Sequence, residues 1–176
     1  MDADELHEEK RRNVKIRYRE YVHPLDYTGV ANINSASLIV SFTYLYEEFY
    51  KKNPDLFIVA ENELNKKIIG FILVEKNPRN FKKGSALVYA IAAHPGYKRL
   101  GIGSGLIRNV TINLRYNHPK IRLLYLHVQE TNEEAITFYK NFGFKEIKFL
   151  KEFYSWGENA YQLALDINEY FEDNNQ

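Results

Sequence analysis

Hydrophobic and polar positions follow two different periods along the chain, and the change of period separates predicted helices from predicted strands. VKIRYRE (14–20) alternates as a half-buried strand does. Two short helices are predicted after it, one from Asp26, as the N-cap, to about Ser37 and the other over roughly 44–52. Two apolar runs, 56–61 and 67–76, are joined by a polar turn and therefore predict a β-hairpin.

The second half of the chain alternates between strand and helix patterns and ends in two strands. Its predicted strands are ALVYAIAA (86–93), IRLLYLHV (121–128), FKEIKFL (144–150) and NAYQLAL (159–165). An amphipathic helix is predicted over 102–116. A second helix follows TNEE (131–134), which has the form of a capping box with Thr131 as the N-cap, and ends at Gly143.

This order of elements predicts an α/β fold in which one mixed, mostly antiparallel sheet carries helices on both faces. The strand–helix–strand unit 86–128 needs a crossover connection, and a crossover joins parallel strands. At 176 residues the chain is expected to form a single domain over 14–166, with a charged N-terminal tail (1–13) and a polar C-terminal tail (167–176).

The composition of the chain excludes several kinds of functional site and partner. The formal net charge is +1, so we expect neither nucleic acid nor a membrane as a partner. The chain has no cysteine, which excludes disulfides, thiolate metal sites and cysteine nucleophiles, and we expect no metal cofactor. No apolar run approaches the ~18 residues of a spanning helix and the N-terminus lacks a secretory signal, so we expect a cytoplasmic protein.

The segment HPGYKRLGIGSGL (94–106) is the first sign of chemistry. It places Gly101 and Gly103 at the start of a predicted helix, behind Lys98 and Arg99. Amide N–H groups at a helix N-terminus bind anions, and glycines leave room for a phosphate to reach them. The segment lacks the Lys-Ser or Lys-Thr of a P-loop and the third glycine of a dinucleotide-binding fingerprint. Taken alone, the glycines fit equally well a turn that lets a helix pack close to a sheet.

Two blocks of sequence together resemble the GNAT acetyltransferases. YKRLGIGSGL (97–106) resembles their acyl-CoA pyrophosphate loop, Arg/Gln-x-x-Gly-x-Gly/Ala, with Lys98 in the place of Arg or Gln. In YLHVQETNEEAITFYKNFGFKEI (125–147), the parts YLHVQ, N-x-x-A-I-x-F-Y and F-G-F resemble the protein N-terminal acetyltransferases of that superfamily. The ending LKEFYSWGENAYQLAL resembles archaeal members of this branch, and the whole resemblance covers about 14–166.

The resemblance implies a GNAT fold, whose two central parallel strands splay apart, and acetyl-CoA as the cosubstrate. It implies that the end of the preceding strand, the pyrophosphate loop and two residues of the later motif hold that cosubstrate. The residues concerned are Ile91, Ala92, Ala93, Lys98, Arg99, Leu100, Gly101, Ile102, Gly103, Ser104, Asn132 and Tyr139. Because the chain has no cysteine, direct transfer of the acetyl group is favoured over a cysteine-bound acyl-enzyme.

Two residues are candidates for the proton transfers. Strand alternation places His127 on one face with Tyr125 and Gln129, and His127 matches a histidine that some relatives use as a general base. An α-amine has a pKa near 7.7–8.0, so a modest base is sufficient. Tyr139 matches the tyrosine of the family's Phe-Tyr pair and is expected to protonate the departing thiolate or to stabilise it by a hydrogen bond. Without the resemblance, a packed histidine and a core tyrosine are the ordinary interpretations.

One departure from the family pattern leaves the identity of the base open. Many N-terminal acetyltransferases carry a titratable residue on the strand before the loop, and that position falls here at Ala86 or Leu87. Neither side chain titrates. Tyr89, two residues beyond Leu87 on the same face, is therefore a third catalytic candidate, beside His127 and water.

The expected substrate is the N-terminal α-amine of a protein or peptide. Leu38 and Tyr154 are the candidates for contacts with its first residues, although the segment around Leu38 lacks the proline that is common in relatives. A ribosome or an auxiliary subunit is a further candidate partner. Two other hypotheses stay open, namely acetylation of an internal lysine or a small amine, and a non-catalytic module that binds acyl-CoA.

Overall fold

The structure is a computed structural model that describes Glu9 and residues 13–174. The strands are β1 (Ile16–Glu20), β2 (Phe57–Asn62), β3 (Lys67–Lys76), β4 (Ser85–Ala93), β5 (Leu123–Gln129), β6 (Lys145–Leu150) and β7 (Ala160–Asp166). The helices are α1 (Tyr27–Ser37), α2 (Tyr46–Lys52), α3 (Ile102–Asn117), α4 (Glu133–Phe142) and α5 (Ile167–Asn174). The α/β prediction is confirmed, while the predicted tail 1–13 lies outside the described residues except for Glu9 and Asn13.

The strands form one mixed sheet in the order β1-β2-β3-β4-β5-β7-β6. Antiparallel ladders join β1 to β2, β2 to β3, β5 to β7 and β6 to β7, whereas β4 and β5 are parallel. The parallel ladder joins Ser85–Leu87 to Leu123–Tyr125 and, in the described structure, includes no later residue of either strand. β4 and β5 thus pair only at their amino ends, which agrees with the expected splay.

The chain groups into two compact units, each built from two segments. The first unit comprises the chain up to Val74 together with Ala90–Ile112, and the second comprises Glu75–Tyr89 together with the chain from Asn113 onward. No helix within the described residues is long and apolar enough to cross a membrane.

The first unit has an aromatic core. Tyr21, Tyr46, Phe57 and Phe71 are all fully buried, and Tyr21 stacks on Phe57 with ring centroids 4.0 Å apart. Tyr46 meets the Phe71 ring edge-on at 6.2 Å. These rings join α2 to β2 and β3, which explains why many of the chain's aromatic residues serve as core.

A buried ion cluster fixes the entry to α1 in the same unit. Arg19 on β1 lies 2.6 Å from the carboxylate of Asp26 and 2.7 Å from that of Glu61. Asp26 precedes α1 as predicted, but its carboxylate also accepts from the Val22 N–H at 2.8 Å and makes no capping bond. The prediction of a capping role for Asp26 was wrong, because the arginine takes the carboxylate.

In the second unit, the side chains of β5 alternate between buried and half-buried positions, as the sequence pattern predicts. Leu124, Leu126 and Val128 are buried, whereas Tyr125, His127 and Gln129 are half-buried on the other face. Because β5 pairs with β7 and with β4, its half-buried face is held in a defined position.

Two sequence predictions in this unit were wrong. The N-cap of α4 is Asn132, whose Oδ1 accepts from the Ala135 N–H at 3.1 Å, while the Thr131 hydroxyl donates to Glu158 at 3.3 Å. Both residue types can cap a helix, and the helix starts one residue later than the capping-box pattern indicates.

The predicted polar tail 167–176 instead contains α5. Ile167 is fully buried and Tyr170 stacks on Phe142 with centroids 5.2 Å apart. Ile167, Tyr170 and Phe171 have helical i, i+3, i+4 spacing, so the apolar face was present in the sequence but was too short to stand out among polar residues.

Candidate functional site

The loop between β4 and α3 carries the predicted anion-binding residues. Its backbone turns through two residues with positive φ, Arg99 at 62° and Gly101 at 76°. This conformation costs glycine little, whereas other residues lose about 1 kcal/mol or more. α3 begins directly after the turn at Ile102, and the N–H groups of its first turn lack acceptors within the helix. These amides lie next to the exposed residues Lys98, Arg99 and Gly101.

Close packing fixes the start of α3. Ile102 is buried, and a Cβ on Gly70 would stand only 2.5 Å from its Cγ2. A Cβ on Gly105 would stand 2.0 Å from the ring of Tyr18, whose hydroxyl donates to the Gly101 carbonyl at 3.4 Å. Gly70 and Gly105 therefore leave room for neighbouring side chains to pack against the backbone, whereas a Cβ on Gly101 would meet nothing within 4 Å.

The loop borders open space. A cavity of about 430 Å³ opens beside it and is lined by Val14, Ile16, Arg99, Leu100 and Gly101. The open backbone at Gly101, the neighbouring cations and the helix N-terminus supply donors and positive potential for a diphosphate. Gly103 and Ser104 follow in the first turn of α3 and are half-buried.

The carboxyl end of β4 is tied to the last residue of α1. The hydroxyl of Ser37 donates to the carbonyl of Ala93 at 3.2 Å. Ala92 is buried and Ile91 and Ala93 are half-buried, so one face of this strand end is open. Leu38 comes directly after Ser37 and is half-buried at the end of α1.

Asn34 holds the segment between α1 and α2, and sequence reasoning missed it. Its side chain is 1% exposed. Nδ2 donates to the Val40 carbonyl at 2.9 Å, and Oδ1 accepts from the Phe42 N–H at 3.1 Å and from the Tyr46 hydroxyl at 2.9 Å. The candidate substrate residue Leu38 is thus attached to a segment that one buried amide keeps in place.

His127 lies between two aromatic rings in the second unit. The centroid of its ring is 6.2 Å from that of Phe81 and 4.4 Å from that of Phe153. Gln162, its register partner on β7, places its amide Nε2 3.3 Å from Nε2 of His127. An amide nitrogen donates, so this contact is a hydrogen bond in the tautomer whose Nε2 is unprotonated and whose proton is on Nδ1.

Burial in these surroundings lowers the pKa of His127 from 6.5 to about 4. A charged imidazolium is disfavoured there because the rings replace water. At neutral pH the imidazole is therefore neutral and has a lone pair for a proton, but it is a weak base.

Tyr139 on α4 presents a free phenol. Its ring lies 5.1 Å from that of Phe138 and 5.7 Å from that of Phe144. Burial, with a smaller contribution from Tyr154, raises the pKa of Tyr139 above its ordinary value. Its hydroxyl makes no hydrogen bond to any residue that the structure describes. The group is thus a protonated donor that is available to a ligand.

The turn between β6 and β7 connects His127 to Tyr139. Phe153, which contacts His127, meets Tyr154 edge-on at 5.0 Å. Tyr154 in turn stacks on Trp156 at 4.7 Å and influences the pKa of Tyr139. Three of the predicted site residues, His127, Tyr139 and Tyr154, are thus near one another within the second unit.

The remaining candidates occupy less distinctive positions. Leu87 pairs with Tyr125 in the parallel ladder, so it lies on the same face as His127. Tyr89 is half-buried two residues further on. The side-chain oxygen of Asn132 caps α4, which leaves its amide nitrogen for a ligand.

Sequence reasoning missed the surroundings of His127. Phe81 and Phe153 come from loops, and Gln162 is placed by the register of β7. A weak signal existed for Phe81, which is the one aromatic residue in the polar loop 77–84. An aromatic residue in such a loop indicates that the loop packs onto the body of the protein.

Comparison with known proteins identifies the family of the chain. Residues 27–144 match the acetyltransferase (GNAT) family. The chain is 31% identical to an N-alpha-acetyltransferase of Sulfolobus acidocaldarius over 93% of this chain and 99% of that protein. The crystal structure of Ard1 from Thermoplasma volcanium has a TM-score of 0.75 and 28% identity, and covers 87% of this chain and 98% of its own. Naa20 of Chaetomium thermophilum, in complex with a bisubstrate analogue, has a TM-score of 0.71 and 25% identity over 92% and 90%. The chain therefore belongs to the GNAT acetyltransferase family and is an acyltransferase.

Proposed function

We propose that this enzyme transfers an acetyl group from acetyl-CoA to the N-terminal α-amine of proteins. The observation that carries the proposal is His127, which is neutral but weakly basic, with a pKa of about 4. An α-amine, with a pKa near 7.7–8.0, is already partly neutral at pH 7, whereas lysine, near 10.4, needs a much stronger base. The similarity to an archaeal N-alpha-acetyltransferase over most of the chain supports the same substrate class.

The β4–α3 loop is proposed to hold the diphosphate of the cosubstrate. Its open backbone at Gly101 and the first-turn amides of α3 supply hydrogen-bond donors. Lys98 and Arg99, both exposed, add positive charge at the same place. Acetyl-CoA supplies the acetyl group as a thioester, and the half-buried end of β4 is proposed to bind its amide-containing arm through backbone groups.

His127 is proposed to take the proton that the amine nitrogen loses. As the nitrogen bonds to the carbonyl carbon it becomes positively charged, and its proton becomes acidic enough for a weak base to remove. In the tautomer whose Nε2 is unprotonated, this atom accepts from Gln162, and that bond must be replaced when the proton arrives. Tyr89 or a water molecule can relay the proton to His127, since neither Ala86 nor Leu87, the candidates for the family's titratable position, carries a titratable side chain.

Tyr139 is proposed to stabilise the sulfur as the carbon–sulfur bond breaks. Its phenol is protonated and its hydroxyl has no partner among the described residues. Because its pKa is raised, complete proton transfer to a thiolate, whose conjugate acid has a pKa near 8.5, is uphill. Donation of a hydrogen bond is therefore the favoured role, with the proton from the amine finally neutralising the thiolate.

Leu38 and Tyr154 are proposed to contact the first residues of the substrate. Both are half-buried next to well-held backbone, Leu38 through Asn34 and Tyr154 through its stacking on Trp156. Direct attack by the amine is proposed because the chain has no cysteine to carry an acyl group.

A peptide panel tests the proposal. Peptides with a free or a blocked N-terminus, each with and without an internal lysine, are incubated with acetyl-CoA and the modified atom is located by mass spectrometry. We expect acetylation only where the α-amine is free. Acetylation of blocked peptides through lysine alone would overturn the proposal, and binding of CoA without transfer to any amine would indicate a non-catalytic module.

A further inference from the structure

Positive charge is concentrated in one part of a nearly neutral chain. Between Lys76 and Gln129 the sequence contains ten Lys and Arg residues and no Asp or Glu. Some of these cations belong to the β4–α3 loop, but three of them, Arg79, Lys82 and Lys83, lie in the loop between β3 and β4 and have no role in the chemistry described so far.

The β3–β4 loop is held in a fixed position. The Asn77 N–H donates to the Ser85 carbonyl at 2.7 Å, and the Asn77 side chain accepts from the Gly84 N–H at 3.0 Å, so the base of the loop is closed. At its tip, the Phe81 ring lies 5.0 Å from Tyr125 and 6.2 Å from His127. The loop is thereby anchored next to the proposed proton acceptor.

The cationic side chains on either side of Phe81 have no partner among the described residues of the protein. Arg79, Lys82 and Lys83 are exposed and form no ion pair or hydrogen bond through their side chains within the described residues. Exposed lysines elsewhere behave differently, since Lys51 pairs with Glu47 one helical turn away. Three unpaired cations on an anchored loop create a local positive potential beside His127.

The turn that contributes Phe153 carries charges of both signs, because Lys151 and Glu152 are exposed and neither forms a side-chain ion pair within the described residues. The carboxylate of Glu158, on the turn that contributes Phe153, accepts from the Gln129 amide at 2.7 Å, from the Thr131 hydroxyl and from the Trp156 indole. This carboxylate is therefore already satisfied by hydrogen bonds within the protein. The β3–β4 loop differs from that turn because its unpaired charges, at Arg79, Lys82 and Lys83, are all positive.

We propose that the β3–β4 loop selects substrates with acidic residues directly after the N-terminal amine. The inference rests on the proposed function, because it takes His127 as the place where the amine arrives. An extended peptide advances about 3.3–3.6 Å per residue, so its second to fourth residues lie within about 4–11 Å of the amine. Carboxylates at those positions come within reach of long side chains that flank Phe81.

Steady-state kinetics with charged peptides tests the inference. Three peptides share the first residue and carry Glu, Gln or Lys at positions two to four. We expect the KM of the acidic peptide to be about five- to tenfold below that of the Gln peptide at low salt, since each surface ion pair contributes a few-fold. The advantage should shrink to about twofold in concentrated salt.

Charge reversal on the loop provides the direct test. In Lys82→Glu/Lys83→Glu the preference should reverse, with a higher KM for the acidic peptide and a lower KM for the basic one. Lys82→Gln/Lys83→Gln should remove the preference without reversing it. Lys67→Glu is the matched control, because Lys67 is also exposed but lies nine residues before Lys76, at the opposite end of β3, and it should keep the wild-type preference.

Several results would overturn the inference. Equal KM values for the acidic and Gln peptides in the wild type would do so, and so would a preference that survives charge reversal. If the reversal abolished binding of a 20-base-pair RNA duplex and left every peptide KM unchanged, the loop would be a nucleic-acid surface instead. Failure to acetylate any free α-amine would refute the proposed function, whereas acetylation without acidic preference refutes this inference alone.

Discussion

Acidification should destabilise the protein through His127, and the structure sets the size of the effect. In the folded protein the pKa of His127 is about 4, against an ordinary 6.5 that applies once the chain unfolds. Below about pH 6.5, His127 is therefore protonated in the unfolded chain but remains neutral in the native protein. The contribution of His127 to stability is fully present above pH 6.5 and is lost as the pH falls toward 4.

The expected magnitude follows from the pKa difference. A fall from 6.5 to about 4 corresponds to roughly 3 kcal/mol between neutral pH and pH 4. Because His127 is only half-buried and water screens part of the effect, we expect about 1–2 kcal/mol.

Urea unfolding of the wild type and of His127→Gln at about pH 7.5 and about pH 4.5 isolates this contribution. Glutamine is neutral at both pH values, so the free energy of unfolding should fall by about 1–2 kcal/mol more in the wild type than in the variant. Other titrating groups are common to both proteins and cancel in the comparison. A difference below about 0.5 kcal/mol would show that the ring is hydrated in the native state, and the argument for a weak, neutral base would fail.

The same pKa predicts the shape of the pH–rate profile. If His127 is neutral throughout, kcat/KM for a peptide should fall tenfold per pH unit below the pKa of the substrate amine and show no second break near 6.5. A slope that doubles below pH 6.5 would assign His127 an ordinary pKa and contradict the structure.

Three further substitutions test the other parts of the site. Tyr139→Phe should lower kcat about 10²-fold while calorimetry shows CoA binding within a factor of two or three, and an unchanged kcat would remove its role. Gly101→Ala places a side chain at φ 76° and should weaken CoA binding as well as stability by about 1 kcal/mol, whereas Gly157→Ala, at φ 94° with equally open space, should lower stability and leave CoA binding unchanged. Asn34→Leu leaves the Tyr46 hydroxyl and two backbone groups without their partner, so urea unfolding should show a loss of about 2–4 kcal/mol, and the peptide KM should rise more than the acetyl-CoA KM.

The sheet and four of its helices were predictable because their signals are local. The apolar runs of β2, β3 and β4 and the alternation of β5 need no knowledge of their neighbours to be recognised. α5 was missed because its short apolar face can be recognised only from its tertiary contacts, chiefly the stacking of Tyr170 on Phe142. The N-cap of α4 was misplaced by one residue because Thr131 and Asn132 are both good caps, and only the neighbouring turn decides between them.

The residue types at the candidate site were predictable from the sequence, but the pKa values and contacts of those residues were not. The position of His127 on a half-buried strand face follows from alternation. Its low pKa does not, because the rings that exclude water belong to loops 46 residues before it and 26 residues after it, at Phe81 and Phe153. In the same way, Asn34 looked like an ordinary helix residue, and its function appears only when the segment after α1 folds back over it.

The glycines of the β4–α3 segment show why one motif can require several physical explanations. Two interpretations compete for them, a phosphate-binding turn and close packing of a helix; the structure shows close packing at Gly105, and phosphate binding stays the proposal for Gly101. Gly101 has a left-handed φ and open space, as a backbone that meets a ligand requires, whereas Gly105 faces the Tyr18 ring with no room for a methyl group. The two are coupled, because the Tyr18 hydroxyl donates to the Gly101 carbonyl. Packing at Gly105 thus positions the turn that Gly101 makes possible, so the ligand site proposed at this turn is rigid rather than flexible.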